Sequence, residues 1–282
     1  MIVISSTSRP MVHSDLAAAH ELSQAVGWGH RFEDWELLLD VGKGVVTVSA
    51  DGALSGVAMW WPYGTDYAAI GMVIVSPSHQ RMGIGKLLMD TILMEARGRR
   101  LFLNATQEGS RLYESLGFTT TGTISTHYGE LASDRPVIVD GAEVSDLRQE
   151  DWQDVLRIDR EASGMDRTPL LTALRGVAAG LVARSEGRLT GFVLPRRFQR
   201  GTLLGPVIAD TEDTAIALVS AAAERAEGLL RTDIPADAAA LGHWLEQVGL
   251  ARVGQVTTMW SPAAPEHGST ARVYGLAAQA LG

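Results

Sequence analysis

The two halves of this chain repeat one another. A hairpin signal reads Gly52-Ala53-Leu54-Ser55-Gly56 in the first half and Gly187-Arg188-Leu189-Thr190-Gly191 in the second, an offset of 135 residues. Further on, Leu116-Gly117-Phe118 corresponds to Val248-Gly249-Leu250, and Val75 to Val207, both at an offset of 132. Three features in one order at nearly one spacing point to two copies of a single unit. The length agrees: 282 residues, at about 150 per domain, make about two domains.

Periodicity gives each half the same alternation. In the first, helices are expected over 13–26 (with Ser14 as cap), 31–40, 85–96 and 107–116, and strands over 45–49, 54–61, 68–75, 101–104 and 118–126. In the second, helices are expected over 146–159, 168–175, 211–226 and 237–248. Strands are expected over 181–184, 189–194, 203–209 and 229–234, with two more around Val253 and over 257–260. The polar stretch 129–136 ends in proline and reads as a linker, and 261–270 reads as loop. The boundary then divides the chain into 1–132 and 137–282.

Composition removes several classes. At 46% apolar and 20% charged residues, the chain can bury enough surface to offset its ordering entropy. No apolar run reaches membrane-spanning length, and the first twenty residues lack the pattern of a secretory signal. A cytoplasmic protein without membrane partners is expected, as a monomer or homodimer. Zero cysteines exclude disulfides, thiolate metal sites and cysteine nucleophiles. The seven histidines form no ligand spacing, so no metal is expected. The net charge of -9 and the lack of a basic stripe argue against nucleic acid as a partner. The short runs Arg97-Gly98-Arg99-Arg100 and Arg196-Arg197 read as solvated element ends.

The densest chemical signal is Val73-Ile74-Val75-Ser76-Pro77-Ser78-His79-Gln80-Arg81-Met82-Gly83-Ile84-Gly85-Lys86. An apolar strand stops at proline, a polar loop with two glycines follows, and a helix opens. Glycines there let backbone approach a bulky anion, and amides from Gln80 to Gly85 would converge at a helix N-terminus. Arg81 and Lys86 add positive charge. The pattern reads as a pyrophosphate cradle, yet it fits neither G-x-G-x-x-G nor G-x-x-x-x-G-K-[ST].

On these residues the chain resembles the GNAT N-acetyltransferases. Gln80-Arg81-Met82-Gly83-Ile84-Gly85 after Val75-Ser76-Pro77 is similar to their acetyl-CoA motif. The strand from Leu101 to Asn104, followed by Leu112-Tyr113-Glu114-Ser115-Leu116-Gly117-Phe118, is similar to their second motif. The whole length resembles a tandem group with a degenerate second copy, through Gly164-Met165-Asp166-Arg167 and Gly205-Pro206-Val207. The resemblance implies an α/β fold of two tandem GNAT-like mixed β-sheet domains flanked by helices. It implies acetyl-CoA as co-substrate, with the pyrophosphate on the amides of Gln80, Arg81, Met82, Gly83, Ile84 and Gly85, beside Lys86. Pantetheine would pair with the strand near Val73 and Val75 and bond Asn104, and Tyr113 would protonate the departing thiolate. Trp28, Phe32, Trp35 and Trp60 would line the acceptor pocket, and Asp166 and Arg167 would hold a charged group of a small-molecule amine.

One departure matters. Many family members carry a glutamate six residues before the strand-end valine, and Ala69 stands there. Asp66, Glu33, Asp34, His127, Asp166 or a water chain are candidates to take the proton of the amine, whose pKa is near 10. The 132 offset places Glu212, Ala215, Ala217 and Leu245 where the first copy has Gln80, Gly83, Gly85 and Tyr113. The second copy is therefore expected to be inactive and to complete or cover the pocket of the first. Two further readings stay open: a non-catalytic acyl-CoA sensing module, and a protein or peptide acetyltransferase.

Overall fold

The computed structural model describes residues 7–50, 52–132, 143–265 and 270–282. Over these the repeat becomes two runs of the same elements. The first copy runs β1 (Thr7–Pro10), α1 (Leu16–Ala25), α2 (Phe32–Val41), β2 (Lys43–Val48), β3 (Leu54–Tyr63), β4 (Tyr67–Val75), α3 (Ile84–Glu95), β5 (Arg100–Ala105), α4 (Ser110–Ser115) and β6 (Thr119–Gly129). The second opens with β7 (Glu143–Asp146), α5 (Trp152–Ser163), α6 (Thr168–Arg175), β8 (Leu181–Ser185) and β9 (Arg188–Val193). It continues through β10 (Arg196–Phe198), β11 (Gly201–Leu203), β12 (Val207–Ala209), α7 (Glu212–Glu224), β13 (Leu230–Pro235), α8 (Ala239–Gln247), β14 (Ala251–Ser261) and β15 (Arg272–Gly275).

The copies do not keep their strands to themselves. One sheet has the order β1-β2-β3-β4-β5-β14-β6-β13-β11-β10, the other β15-β12-β9-β8-β7. β14, the last long strand of the second copy, lies between β5 and β6 of the first. β6 in turn pairs antiparallel with β13 of the second. The exchange pairs β14 on both edges and leaves neither copy with a free edge there. The two strands expected around Val253 and 257–260 are this single strand. Of the expected linker 129–136, Gly129 ends β6, while 133–136 and with them the domain boundary lie outside the described residues, as does part of the loop at 261–270.

The β3–β4 hairpin of the first copy has a broken counterpart in the second. β9 and β12 stay in the five-stranded sheet, while β10 and β11 form the far end of the hairpin and cross to the ten-stranded one. At the kink, a Cβ on Gly205 would stand 2.2 Å from the carbonyl oxygen of Leu276, so only glycine fits this approach. The strand expected over 203–209 is thus two strands with a turn between. The helix expected over 146–159 also starts later: 143–146 pairs as β7 with β8, and α5 begins at Trp152. Asp15, rather than Ser14, closes the turn before α1, accepting the Val12 amide at 2.9 Å and both Nη of Arg9.

Apolar spacing explains the layers. Along α5, Trp152, Val155, Ile158 and Ala162 point inward, and Gly164 at φ 69° ends the helix. One core cluster joins both copies: Trp35, Trp61, Met72 and Phe102 of the first pack with Ile158, Leu170, Leu194 and Ala278 of the second. On the opposite face of the first copy's sheet, Ile70 and Leu103 pack with Leu88 and Met89 of α3 and Tyr113 of α4. Within the shared core Arg167 forms a bidentate ion pair with Asp159, at 2.5 and 3.1 Å, and both side chains are about 1–2% exposed. Its remaining Nη donates to Gly282 at 2.8 Å, fixing the final segment. Asp159→Ala would leave a buried guanidinium unpaired, a loss of about 3–5 kcal/mol. A thermal melt is expected to show a fall in Tm on the order of 10 °C.

Candidate active site

β4 pairs with β5 only from Tyr67 to Ile70, the last register pair being Ile70 with Leu103. Beyond Ile70 it pairs with β3 alone, as far as Val75. The register of β3 and β4 slips between Val57 and Met59, and opposite this slip Met72 takes a φ of 52°. A bulge of this kind bends the strand and re-aims its polar groups. The two strands thus part at Ile70, and the edge from Gly71 to Val75 keeps unpaired backbone groups. An extended ligand arm can add itself there as a strand, which fits the pantetheine role expected near Val73 and Val75.

At the end of β4 lies the loop read from the sequence as a cradle. Arg81 and Gly83 have φ of 62° and 84°, and Gly83 stands as the N-cap of α3. Among the described residues no acceptor meets the amides of Gln80, Arg81, Met82 or Gly83. Those of Ile84, Gly85 and Lys86 belong to the first helical turn, where donors lack intrahelical partners. A Cβ at Gly83 would meet nothing within 4 Å, so the space over the helix end is open. At Gly85 a Cβ would stand 3.4 Å from Leu112 and 3.7 Å from Val75. That glycine brings the cradle, the strand end and α4 together. Lys86 pairs with Asp90 at 2.6 Å on the surface. The donor set suits a pyrophosphate.

Tyr113 sits on this same face, 9% exposed, with its ring edge-on to Phe118. Burial pushes its hydroxyl up to about 12, so it stays protonated across the physiological range. Its hydroxyl has no hydrogen-bond partner among the described residues.

On the opposite face a cavity of about 300 Å³ reaches the parting point, lined there by Ile70, Gly71, Met72 and Asn104. Its other walls are the α1–α2 loop (Trp28, His30), Asp34 of α2, the β10–β11 hairpin (Arg196, Phe198, Gln199), Arg231, and the final segment from Ala278 to Leu281. Cross-copy bonds hold the hairpin down. Gln199 donates its amide to Asp34 at 3.0 Å, Arg31 donates to the Arg197 carbonyl at 3.1 Å, and His30 lies edge-on to Phe198. The final segment is held by Tyr63, which donates to the Leu281 carbonyl at 2.6 Å. Burial pushes His30 down to about 4, so the ring is neutral at pH 7, and its Nδ1 has no partner.

Trp28 lines this cavity, and Phe32, Trp35 and Trp60 lie away from it. Trp35 is fully buried, donating to Ser23 at 3.2 Å. Trp60 faces the other side of the sheet, where it donates to Glu95. Phe32 is 38% exposed, against His20. Asp166 and Arg167 are structural. Asp166 bonds Thr168 and pairs with Arg160, and the hydroxyl of Thr168 holds its carboxyl below the usual range. Arg167 belongs to the buried pair with Asp159. Asn104 donates to the Gln279 carbonyl and accepts from Thr258, both at 2.7 Å, so its amide braces the second copy against the first. Of the carboxylates considered as bases, Asp66 and Glu33 are exposed. Asp34 lines the cavity with its oxygens taken by Arg31 and Gln199. His127 is buried against the Leu250 carbonyl.

Sequence reasoning missed His30, Phe198, Gln199 and Arg231, and it misplaced Arg196, which is 5% exposed rather than solvated. Their signal is tertiary: the crossing of the hairpin brings Arg196, Phe198 and Gln199 to the α1–α2 loop that carries His30, and the pairing of β13 with β6 brings Arg231.

The second copy lacks the cradle. Eight residues join β4 to α3, but only Asp210 and Thr211 join β12 to α7. Thr211 caps α7 itself, accepting the Thr214 amide at 3.1 Å. The edge of β12 that matches the free edge of β4 is covered by β15, pairing Val207 with Gly275 and Ala209 with Arg272. Among the described residues no cluster of three or more His, Cys, Asp or Glu could hold a metal, and no helix is long and apolar enough to cross a membrane.

A parted β4–β5 pair beside a glycine cradle, in the first of two copies of one element order, defines the class as acyltransferases of the GNAT kind. The Acetyltransferase (GNAT) family model matches residues 9–118, and an Acetyltransferase (GNAT) domain model matches 155–275. The chain therefore belongs to the GNAT N-acetyltransferases, as a tandem of two such domains. It is 29% identical over 218 residues to the uncharacterized N-acetyltransferase YitH of Bacillus subtilis (strain 168), covering 76% of each chain. The fold matches a crystal structure from Pyrococcus horikoshii assigned to the acetyltransferases, with a TM-score of 0.80 and 23% identity over 100% of this chain and 98% of that one. It also matches a tandem GNAT protein from the clavulanic acid biosynthesis pathway, with a TM-score of 0.66 and 17% identity over 93% and 100%.

Proposed function

We propose that the first copy transfers the acetyl group of acetyl-CoA to a primary amine of a small molecule, and that the second copy walls the acceptor site. The parting of β4 from β5 after Ile70 carries this reading. It links the cradle and Tyr113 on one face to the cavity on the other. Acetyl-CoA supplies the activated acetyl group, its carbon–sulfur bond breaking as the amine nitrogen bonds the carbonyl carbon. The amides of Gln80 to Gly85 hold the pyrophosphate, and the free edge from Gly71 to Val75 aligns the arm. A backbone N–H near the bulge at Met72 faces the carbonyl oxygen where negative charge develops. Tyr113 gives its proton to the leaving sulfur, and the proton of the amine passes to water in the cavity. The hairpin and the final segment close the acceptor side, which favours a small molecule over a peptide.

The test is thiol release with acetyl-CoA across a panel of small amines, beside calorimetry of acetyl-CoA binding. Binding without release under any amine would leave a sensing module instead. Tyr113→Phe is expected to lower kcat on the order of 100-fold while acetyl-CoA affinity stays within about twofold of the native protein. Full activity in that variant would remove Tyr113 from the mechanism.

A further inference from the structure

The cavity between the copies is lined by a buried cation that, among the described residues, no carboxylate meets as an ion pair. Three charged side chains line it: Asp34, Arg231 and Arg196. Asp34 is paired with Arg31 at 2.7 Å, and Arg231 with Asp233 at 3.0 Å. Arg196 has no ion pair among the described residues. Its two Nη atoms donate to the carbonyls of Gly205 and Ala277, at 3.0 and 2.6 Å. Carbonyl dipoles orient a guanidinium without neutralising it. Arg167 is the instructive contrast, since at similar burial it is met bidentately by Asp159.

We propose that the acceptor amine carries an anionic group, and that Arg196, supplied by the second copy, receives that group in the cavity. This rests on the reading of the cavity as the acceptor site of an acetyltransferase. A buried cation without a partner is costly, and burial pushes the Arg196 guanidinium down to about 10. An incoming anion removes that cost. A bare alkylammonium would instead meet like charge, because His30 is neutral and the carboxylate of Asp34 is already taken. The Phe198 ring stands against Arg196 at 5.5 Å and against Arg231 at 5.6 Å, so the guanidinium plane is held before binding. A planar fork with free N–H groups suits a carboxylate or a phosphate. A cavity of about 300 Å³ has room for roughly ten water-sized groups. One end lies at Gly71 and Met72, where the strands part, and the anion is held at the hairpin wall.

The test compares glycine, β-alanine and 4-aminobutanoate with the amide of each, and adds 2-aminoethyl phosphate to separate phosphate from carboxylate. Two readouts are taken: thiol release from acetyl-CoA, and the ligand-induced shift in Tm without acetyl-CoA. In the native protein at least one acid is expected to exceed its amide by about 30-fold in kcat/KM and to raise Tm more. In Arg196→Met, whose apolar side chain suits a buried site, the acid-to-amide ratio falls to within about twofold of one. Arg196→Lys, which keeps the charge without the fork, falls between. Amides that perform as well as every anionic probe would overturn the proposal, as would an acid preference that survives in Arg196→Met. If no probe releases thiol, the acetyltransferase reading is in question, and the Tm shift still decides whether Arg196 binds the anion.

Discussion

A chain ending at Ala132 is expected to lose cooperative unfolding and to aggregate, although it holds every element of one GNAT copy. The reason is the place of β14. It pairs with β5 from Thr257 to Ser261 and with β6 from Ala251 to Trp260, so removing the second copy opens two long edges in the middle of a sheet. Unpaired strand edges recruit other chains. The same cut strips Trp260 from Phe102, whose rings stack at 4.8 Å, and takes Thr258 and Gln279 from Asn104. It also uncovers Trp35, Trp61 and Met72 on the shared core. Circular dichroism melting and size-exclusion chromatography decide the matter. A monomeric fragment with a sigmoidal melt would show that the exchanged strand is dispensable.

Gly83→Glu is expected to weaken acetyl-CoA binding by at least about 100-fold while lowering Tm by only a few degrees. At φ 84° any side chain costs about 1 kcal/mol of backbone strain. Nothing lies within 4 Å of a Cβ there, so the fold itself accepts the residue. The new carboxylate stands over the unpartnered amides of the cradle, both occupying them and repelling phosphate. Gly83→Ala separates the two effects. It carries the strain without the charge, and calorimetry is expected to show only a several-fold loss. Native-like affinity in Gly83→Glu would move the pyrophosphate elsewhere.

What the sequence discloses follows how local each feature is. The cradle is legible because Gly83 and Gly85 answer to demands within a few residues: a positive φ at one, a close approach to Val75 and Leu112 at the other. The repeat is legible because its hairpins and helix ends recur at one offset. That offset misleads at α7, because six fewer residues join strand to helix in the second copy; Glu212 opens the helix instead of matching Gln80. The strand exchange leaves no mark, since β6 and β14 would show the same alternation beside any neighbour. Trp35 and Trp60 show the limit for aromatics. Their spacing says that they are buried, but not on which face. Arg196 is the sharpest case. Two adjacent arginines read as solvated until the kink at Gly205 carries one of them between the copies.

The exchange also dictates when this protein can become folded. Residues of β5 near position 103 find their partners near position 259, so a central pairing waits on chain made some 150 residues later. Such long-range pairing raises contact order and slows folding. A first copy emerging from the ribosome has its cradle sequence in place but lacks the strand that closes its sheet. Until β14 arrives, β5 and β6 are open to wrong partners, and chaperone demand should peak in that interval. Binding competence would then appear late in synthesis, as the second copy completes the first.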